Sequence, residues 1–416
     1  MRRLPHHQPR AMPASVFATA HKGLAAHSGH RAGSLVGAQQ TAMGHVVHKL
    51  HEGHLTELDA LRGIAALIVL FHHAAQLVPW DSLAPTGYWA ALLTSAVFER
   101  SPLQVIREGR QAVLFFFVLS GYVVTLGLLR ARSPGLLAFA ASRTVRLLLP
   151  VMASVALSLV ARAFVFDPEV IQSLRPYSLY TWWDPLHARN IGMHLLLVGS
   201  DADLRINVVL WSLVHEWRIS VFLPLMLLFR KSPVLPIAFG CLLYAGAVFL
   251  GTPQDSVQLD YSILRSFLAT AYFALSVIMG ATLALRFPLT WPDRPVDRWA
   301  TVAVIFALFS IQSDLAFFLG SVLIIALASV PGNFRTFLRR PALAWLGRVS
   351  FSLYLVHTIV LATALHAMST RLPLPVIALL GTALSLPVAV IFHRLVERPA
   401  QRLARWTTRT LVRARR

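Results

Sequence analysis

Beyond about residue 58 the chain alternates long apolar blocks with short polar turns that carry most of its arginines. Ten blocks are long enough, or nearly so, to cross a bilayer as helices: 58–78, 112–129, 145–164, 208–228, 235–250, 263–285, 299–311, 315–330, 351–367 and 374–392. The seventh and eighth are short, with a soft boundary near Ser313 and Asp314, and the stretch 191–199 is too short to span. It is expected to be re-entrant or interfacial. The pattern predicts an all-α fold: a polytopic membrane helical bundle of about ten transmembrane helices.

Composition narrows this further. Of 416 residues, 56% are hydrophobic and 13% charged. No interval between apolar blocks is large enough for a soluble domain, so the expected organisation is an amino-terminal tail (1–54), one membrane domain (55–398) and a basic carboxy-terminal tail (399–416). The first segment is rich in His, Arg, Gly, Ala and Ser, and reads as a disordered cytoplasmic tail. His45, His48, His51 and His54 recur there every third residue, but no cysteine or carboxylate cluster completes a coordination shell, so no metal site is expected. The formal net charge of +20 clusters between apolar blocks rather than along a continuous face. It reports topology, and nucleic acid is not an expected partner. With the amino terminus inside, the inside loops hold Arg130, Arg132 and Arg143, then Arg230 and Lys231, then Arg286, Arg294 and Arg298, then Arg335, Arg339, Arg340 and Arg348. Both termini are therefore expected to be cytoplasmic, in an inner (cytoplasmic) membrane. The two longer outside loops carry Trp80, Trp89, Trp182 and Trp183, which suit an aromatic belt or a sugar-facing surface. The single cysteine, Cys241, can form no internal disulfide, and thiol chemistry is set aside.

Ionisable side chains inside apolar blocks are expensive and mark candidate sites. Arg62 and His73 lie eleven residues apart, about three helical turns, so they share one face some 16 Å apart along the axis, whereas His72 points about 80° away. A guanidinium near the inside end and an imidazole deeper on the same face suit an elongated donor with an anionic head and a reactive end. Glu216, in the fourth block, falls near mid-bilayer at a depth close to that of His73. It could orient that imidazole, or pair with Arg218 or His215. Arg143 and Arg146, three apart at the inside mouth of the third block, could grip one phosphate or diphosphate, or simply anchor the helix. Tyr354 and His357 put another polar pair on the ninth block, able to line the same cavity or to hydrogen-bond between helices.

These residues also carry a resemblance. The run LDALRGIAA at 58–66 leading to His73 is similar to the opening motif of the membrane-bound acyltransferase-3 family, a basic residue followed about ten positions later by His. FFFVLSGYVVT at 115–125, WSLVHE at 211–216, LGRVSFSLYLVH at 346–357 and VERP at 396–399 resemble its later blocks, in order. The resemblance implies a ten-helix O-acyltransferase that takes an acyl group from cytoplasmic acyl-CoA and places it on a carbohydrate hydroxyl. In that family the equivalents of Arg62 and His73 are essential, and an Arg-x-x-Arg element corresponds to Arg143 and Arg146. The chain departs from the family pattern at Ile219 and Ser220, where an aromatic pair is usual, and at Pro150, one position late. Relatives often add a hydrolase-like domain, but only about twenty residues follow Pro399, so transfer is expected to finish in the membrane domain or on another protein.

The expected roles are therefore catalytic for His73, Glu216 and Arg62, and donor-binding for Arg62, Arg143, Arg146, Tyr354 and His357. No permanently bound cofactor is expected; acyl-CoA is a substrate, acetyl-CoA being the base-rate donor. The expected acceptor is a surface polysaccharide or glycolipid, and nothing in the sequence speaks to oligomeric state. The rival is a transporter or flippase using the same buried charges, disfavoured by the lack of an inverted repeat or paired interrupted helices.

Overall fold

The computed structural model describes residues 56–78, 109–130, 135–173, 181–182, 186, 188–196, 206–252, 262–286, 289, 294–311 and 313–413. They belong to one compact unit spanning Leu55–Arg416. The tail 1–54 with its spaced histidines, the loop residues Trp80, Trp89 and Trp183, and Arg132 lie outside the described residues.

Among the described residues every regular element is helical. In chain order these are α1 (Thr56–Ala75), α2 (Gly109–Arg130), α3 (Leu136–Val165), α4 (Pro168–Ser173), α5 (Ala188–Leu196), α6 (Leu210–Val221), α7 (Val234–Phe249), α8 (Ile263–Leu285), α9 (Pro295–Ser310), α10 (Asp314–Ser329), α11 (Asn333–Leu338), α12 (Pro341–Met368), α13 (Leu374–Phe392) and α14 (Arg398–Arg413). Each of the ten apolar blocks lies on a helix, but the helices that meet the length and hydropathy demands of a crossing are fewer. Six do: α1, α2, α3, α8, α12, and α13 running on into α14; a seventh results if α6 and the 3-10 stretch Leu223–Phe229, bent by 44°, form one span. The bend has a local cause. Pro224 has no amide hydrogen to continue the α-helical ladder, and the chain tightens into a 3-10 helix there. Helices α7, α9 and α10 have 16 residues each, about 24 Å of rise against a hydrocarbon core of about 30 Å. The protein is a multi-pass membrane helical bundle. The short α5 matches the segment read as too short to span.

Two further boundaries differ from the sequence reading. Helix α3 begins at Leu136 rather than near residue 145, so Arg143 and Arg146 stand within the helix and not at its mouth. It passes through Pro150 without ending. Helix α13 continues through a π-helical turn, His393–Glu397, into α14. Ala400 and Ala404 of α14 are buried, and Ser142 on α3 donates to the Ala404 carbonyl at 3.0 Å.

Specific contacts fix how the helices run. A Cβ on Gly63 would lie 2.7 Å from the Gly347 nitrogen, and one on Gly347 would collide with the Asp59 carbonyl. Only glycine permits this backbone approach between α1 and α12. Ten positions further along each helix, His73 meets His357, so α1 and α12 run parallel and in register. Helix α3 runs antiparallel to α6: Arg143 meets Ser220, Thr144 meets Trp217, and Ser158 meets the Ile206 carbonyl just ahead of α6. Helices α2, α8 and α10 are mutually parallel. Arg110 on α2 and Tyr272 on α8 both reach Asp314 at the start of α10, while further along Tyr122 bonds Ser329 and Gly280 of α8 closes on the Val118 backbone of α2.

Candidate functional site

The antiparallel register of α3 and α6 sets Arg143 opposite two α6 residues one turn apart, Glu216 and Ser220. Arg143 donates from Nη2 to Glu216 Oε1 at 2.6 Å and from Nε to Ser220 Oγ at 3.1 Å. Helix α2 closes the arrangement. Ser120 Oγ accepts from Arg143 Nη2 at 3.2 Å and donates to Glu216 Oε1 at 2.8 Å. Each atom here has a consistent donor or acceptor role, and the ion pair is a charge-assisted hydrogen bond, the stronger class. Glu216 is thus bonded to Arg143 and Ser120, and among the described residues not to His73, Arg218 or His215. The latter two turn to α8: Arg218 bonds Ser266 and Thr270, and His215 bonds Thr270.

One turn along α3, Arg146 is exposed and has the charges of Arg143, Arg62, Glu397 and Glu216 as electrostatic neighbours. Arg62 lies in the same field, with its side chain 25% exposed and a 3.2 Å contact to Asp59 on its own helix. The three arginines singled out in the sequence are therefore gathered, but they are not equivalent. Arg143 is 10% exposed and compensated by a carboxylate, whereas accessible guanidinium surface belongs to Arg62 and Arg146. Glu397, in the π-turn, is held by Ser352, His393 and Gln401.

About 16 Å along α1 from Arg62 stands His73. Its Nδ1 lies 3.0 Å from the Val69 carbonyl oxygen, one turn back, and 3.1 Å from Nε2 of His357 on α12. His357 is fully buried, and its own Nδ1 lies 2.9 Å from the Leu353 carbonyl oxygen. His73 is only partly buried. His72 packs edge-on against His73 and bonds Gln76, and its ring fills the space beside Gly109. Tyr354, one turn before His357, directs its hydroxyl to α6, with Ser212 Oγ at 2.7 Å and the Val209 carbonyl at 3.1 Å. That bond ties α12 to α6, the interhelical alternative read for this pair, and leaves Tyr354 buried.

Sequence reasoning overlooked Ser120, Ser220 and the His73–His357 contact. Ser120 lay within one recognised motif, and Ser220 stood at a departure from a different one, that of Glu216. The pairing of the two histidines left no trace in local spacing. Chemically, the arrangement offers a partly accessible imidazole held by a second imidazole, and two accessible guanidinium groups at the Arg62 end. An imidazole can move a proton near neutral pH, and guanidinium groups bind phosphate oxygens.

A family model for the acyltransferase domain, acyltransferase-3, matches residues 55–394, and the chain belongs to that family. It covers all seven residues singled out from the sequence. No curated protein and no solved structure is matched by the chain.

Proposed function

We propose that this membrane acyltransferase moves an acyl group from acyl-CoA, acetyl-CoA by base rate, to a hydroxyl of a carbohydrate such as a surface polysaccharide or glycolipid. The observation that carries the reading is the disposition of Arg62, Arg146 and His73. Two accessible guanidinium groups stand at one end of α1 and a partly accessible imidazole about 16 Å further along, a separation that a pantetheine arm can bridge. In this reading the Arg62 end faces the cytoplasm, as the arginine-rich loops suggest, and both termini lie on that side.

The phosphates of the donor bind Arg62 and Arg146, while Arg143, fixed by Glu216, Ser120 and Ser220, contributes its field. His73 takes the acceptor hydroxyl proton on Nε2 as the oxygen bonds to the thioester carbonyl carbon. The carbon–sulfur bond breaks, and the proton on Nε2 passes to the departing thiolate. Products are the ester and free CoA, with no oxidant or reductant required. Glu216 acts by holding Arg143, and Tyr354 by holding α6 against α12.

The test is purified protein in nanodiscs with labelled acetyl-CoA and an envelope glycan extract. Label transferred to glycan with matching release of CoA thiol supports the reading. Movement of glycan or donor across the bilayer with the thioester intact would replace it with transport. Mass spectrometry of envelope glycans with and without the gene then identifies the acceptor.

A further inference from the structure

We propose that His357 is a positioning residue that fixes the tautomer of His73, so that the imidazole presents an unprotonated Nε2 to the reacting hydroxyl. The inference rests on the acyl-transfer reading for its kinetic consequence, but its structural content stands independently.

The contacts determine where the protons sit. A neutral imidazole carries one N–H, on either nitrogen. Nδ1 of His357 faces the Leu353 carbonyl oxygen at 2.9 Å, and a carbonyl only accepts. The His357 proton is therefore on Nδ1, and its Nε2 offers a lone pair. That lone pair faces Nδ1 of His73 at 3.1 Å, so the proton between the rings belongs to His73. The same His73 Nδ1–H is shared with the Val69 carbonyl at 3.0 Å. One proton per ring thus satisfies all three contacts, and the lone pair of His73 is left on Nε2. In the opposite tautomer, Nδ1 of His73 would present a lone pair to two other acceptors, the Val69 carbonyl oxygen and Nε2 of His357.

When His73 accepts a proton on Nε2, its Nδ1–H becomes a cationic donor to the neutral His357 ring, and that hydrogen bond strengthens. The second imidazole then performs the orienting part that a buried carboxylate performs in other acyl-transfer sites, without adding a negative charge. The fold supplies the register: Gly63 and Gly347 bring α1 and α12 to backbone contact ten residues earlier on each helix. Full burial of His357 excludes water from competing for the shared proton.

The experiment uses the full chain in nanodiscs, with His357→Phe, which keeps ring volume without an acceptor, and His357→Gln, which restores one. Histidine-selective nitrogen NMR, with His73→Ala to assign the signal, is expected to show Nδ1–H for His73 in the parent protein and in His357→Gln, and a mixture in His357→Phe. With acetyl-CoA as donor, His357→Phe is expected to lower kcat roughly 10- to 100-fold while KM for the donor stays within about twofold, with partial recovery in His357→Gln. An unchanged His73 tautomer together with unchanged kcat in a folded His357→Phe would overturn the proposal. So would a parent signal showing Nε2–H. If no variant, nor the parent, transfers acetyl, the acyl-transfer reading fails while the NMR result still decides the tautomer.

Discussion

Arg143 on α3 and Glu216 on α6 form a 2.6 Å ion pair in the interior of a membrane bundle, stitched on either side by Ser120 and Ser220. Removing one member of such a pair leaves the other charge without compensation. Glu216→Ala is expected to destabilise the folded protein by about 3 kcal/mol, the low end for buried pairs because both side chains retain some exposure. Glu216→Gln keeps the hydrogen-bond acceptor and is expected to lose less. Thermal unfolding of purified protein in detergent orders the variants, and equal melting temperatures for both and the parent would remove the pair from any structural role.

The accessible arginines are expected to act on the donor rather than on the chemical step. Arg62→Ala or Arg146→Ala removes charged hydrogen bonds to phosphate, each about 1.5–3 kcal/mol, so KM for acyl-CoA is expected to rise roughly 10- to 100-fold with kcat little changed. Lysine at either position keeps the charge without the forked geometry and is expected to recover only part of the affinity. A fall in kcat with unchanged KM would place these groups in the chemistry instead.

Glycine at the α1–α12 crossing has a sharper requirement than glycine elsewhere. Gly347→Ala would drive a methyl group into the Asp59 backbone, separating the helices that carry His73 and His357, so both the melting temperature and transfer activity are expected to fall. Gly127 on α2 is exposed, and a Cβ there meets nothing within 4 Å. Gly127→Ala is therefore expected to be neutral or slightly stabilising, as alanine favours a helix interior. Equal effects of the two substitutions would show that backbone approach is not what holds this crossing.

How much of this could be read from the residues alone follows from the range of each interaction. Arg62 and His73 were legible because their relation lies within one helix, where period alone puts them on a common face. That Glu216 is an ionisable group set within an apolar block was legible, but its partner was not. Arg143 lies 73 residues earlier in the chain, and their meeting depends on the antiparallel register of two helices, which no local pattern encodes. The same holds for His357, which meets His73 only because two glycines set the crossing of α1 and α12. Helix ends misled in a different way. The sequence pattern places Arg143 in an inside loop with Arg130 and Arg132, yet residues 136–144 are helical, with α14 and α6 bonded to Ser142 and Thr144. The six or seven long spans among the described residues reflect a similar loss: 16-residue apolar helices are marginal by length, and hydropathy alone does not decide whether they cross.

Ser220 illustrates how a departure from a family pattern can be put to use. It occupies a position where an aromatic side chain would leave Arg143 Nε without this acceptor. Ser220→Phe is expected to crowd α3 and raise KM for the donor through displacement of Arg143, whereas Ser220→Ala, which loses a single hydrogen bond to a charged group, is expected to cost about 1.5–3 kcal/mol at most. Donor titrations of both variants against the parent distinguish crowding from loss of the bond, and donor affinity unchanged in both would show that the hold on Arg143 is dispensable.

The most direct measurement is acyl transfer by His73→Gln and His73→Ala, in nanodiscs, with folding verified by thermal unfolding and donor binding measured separately. If the imidazole moves the proton, turnover falls by at least about 100-fold while acyl-CoA still binds with near-parent affinity. Turnover within a few-fold of the parent in a folded His73→Ala would contradict the account, and the base would have to be sought on another helix.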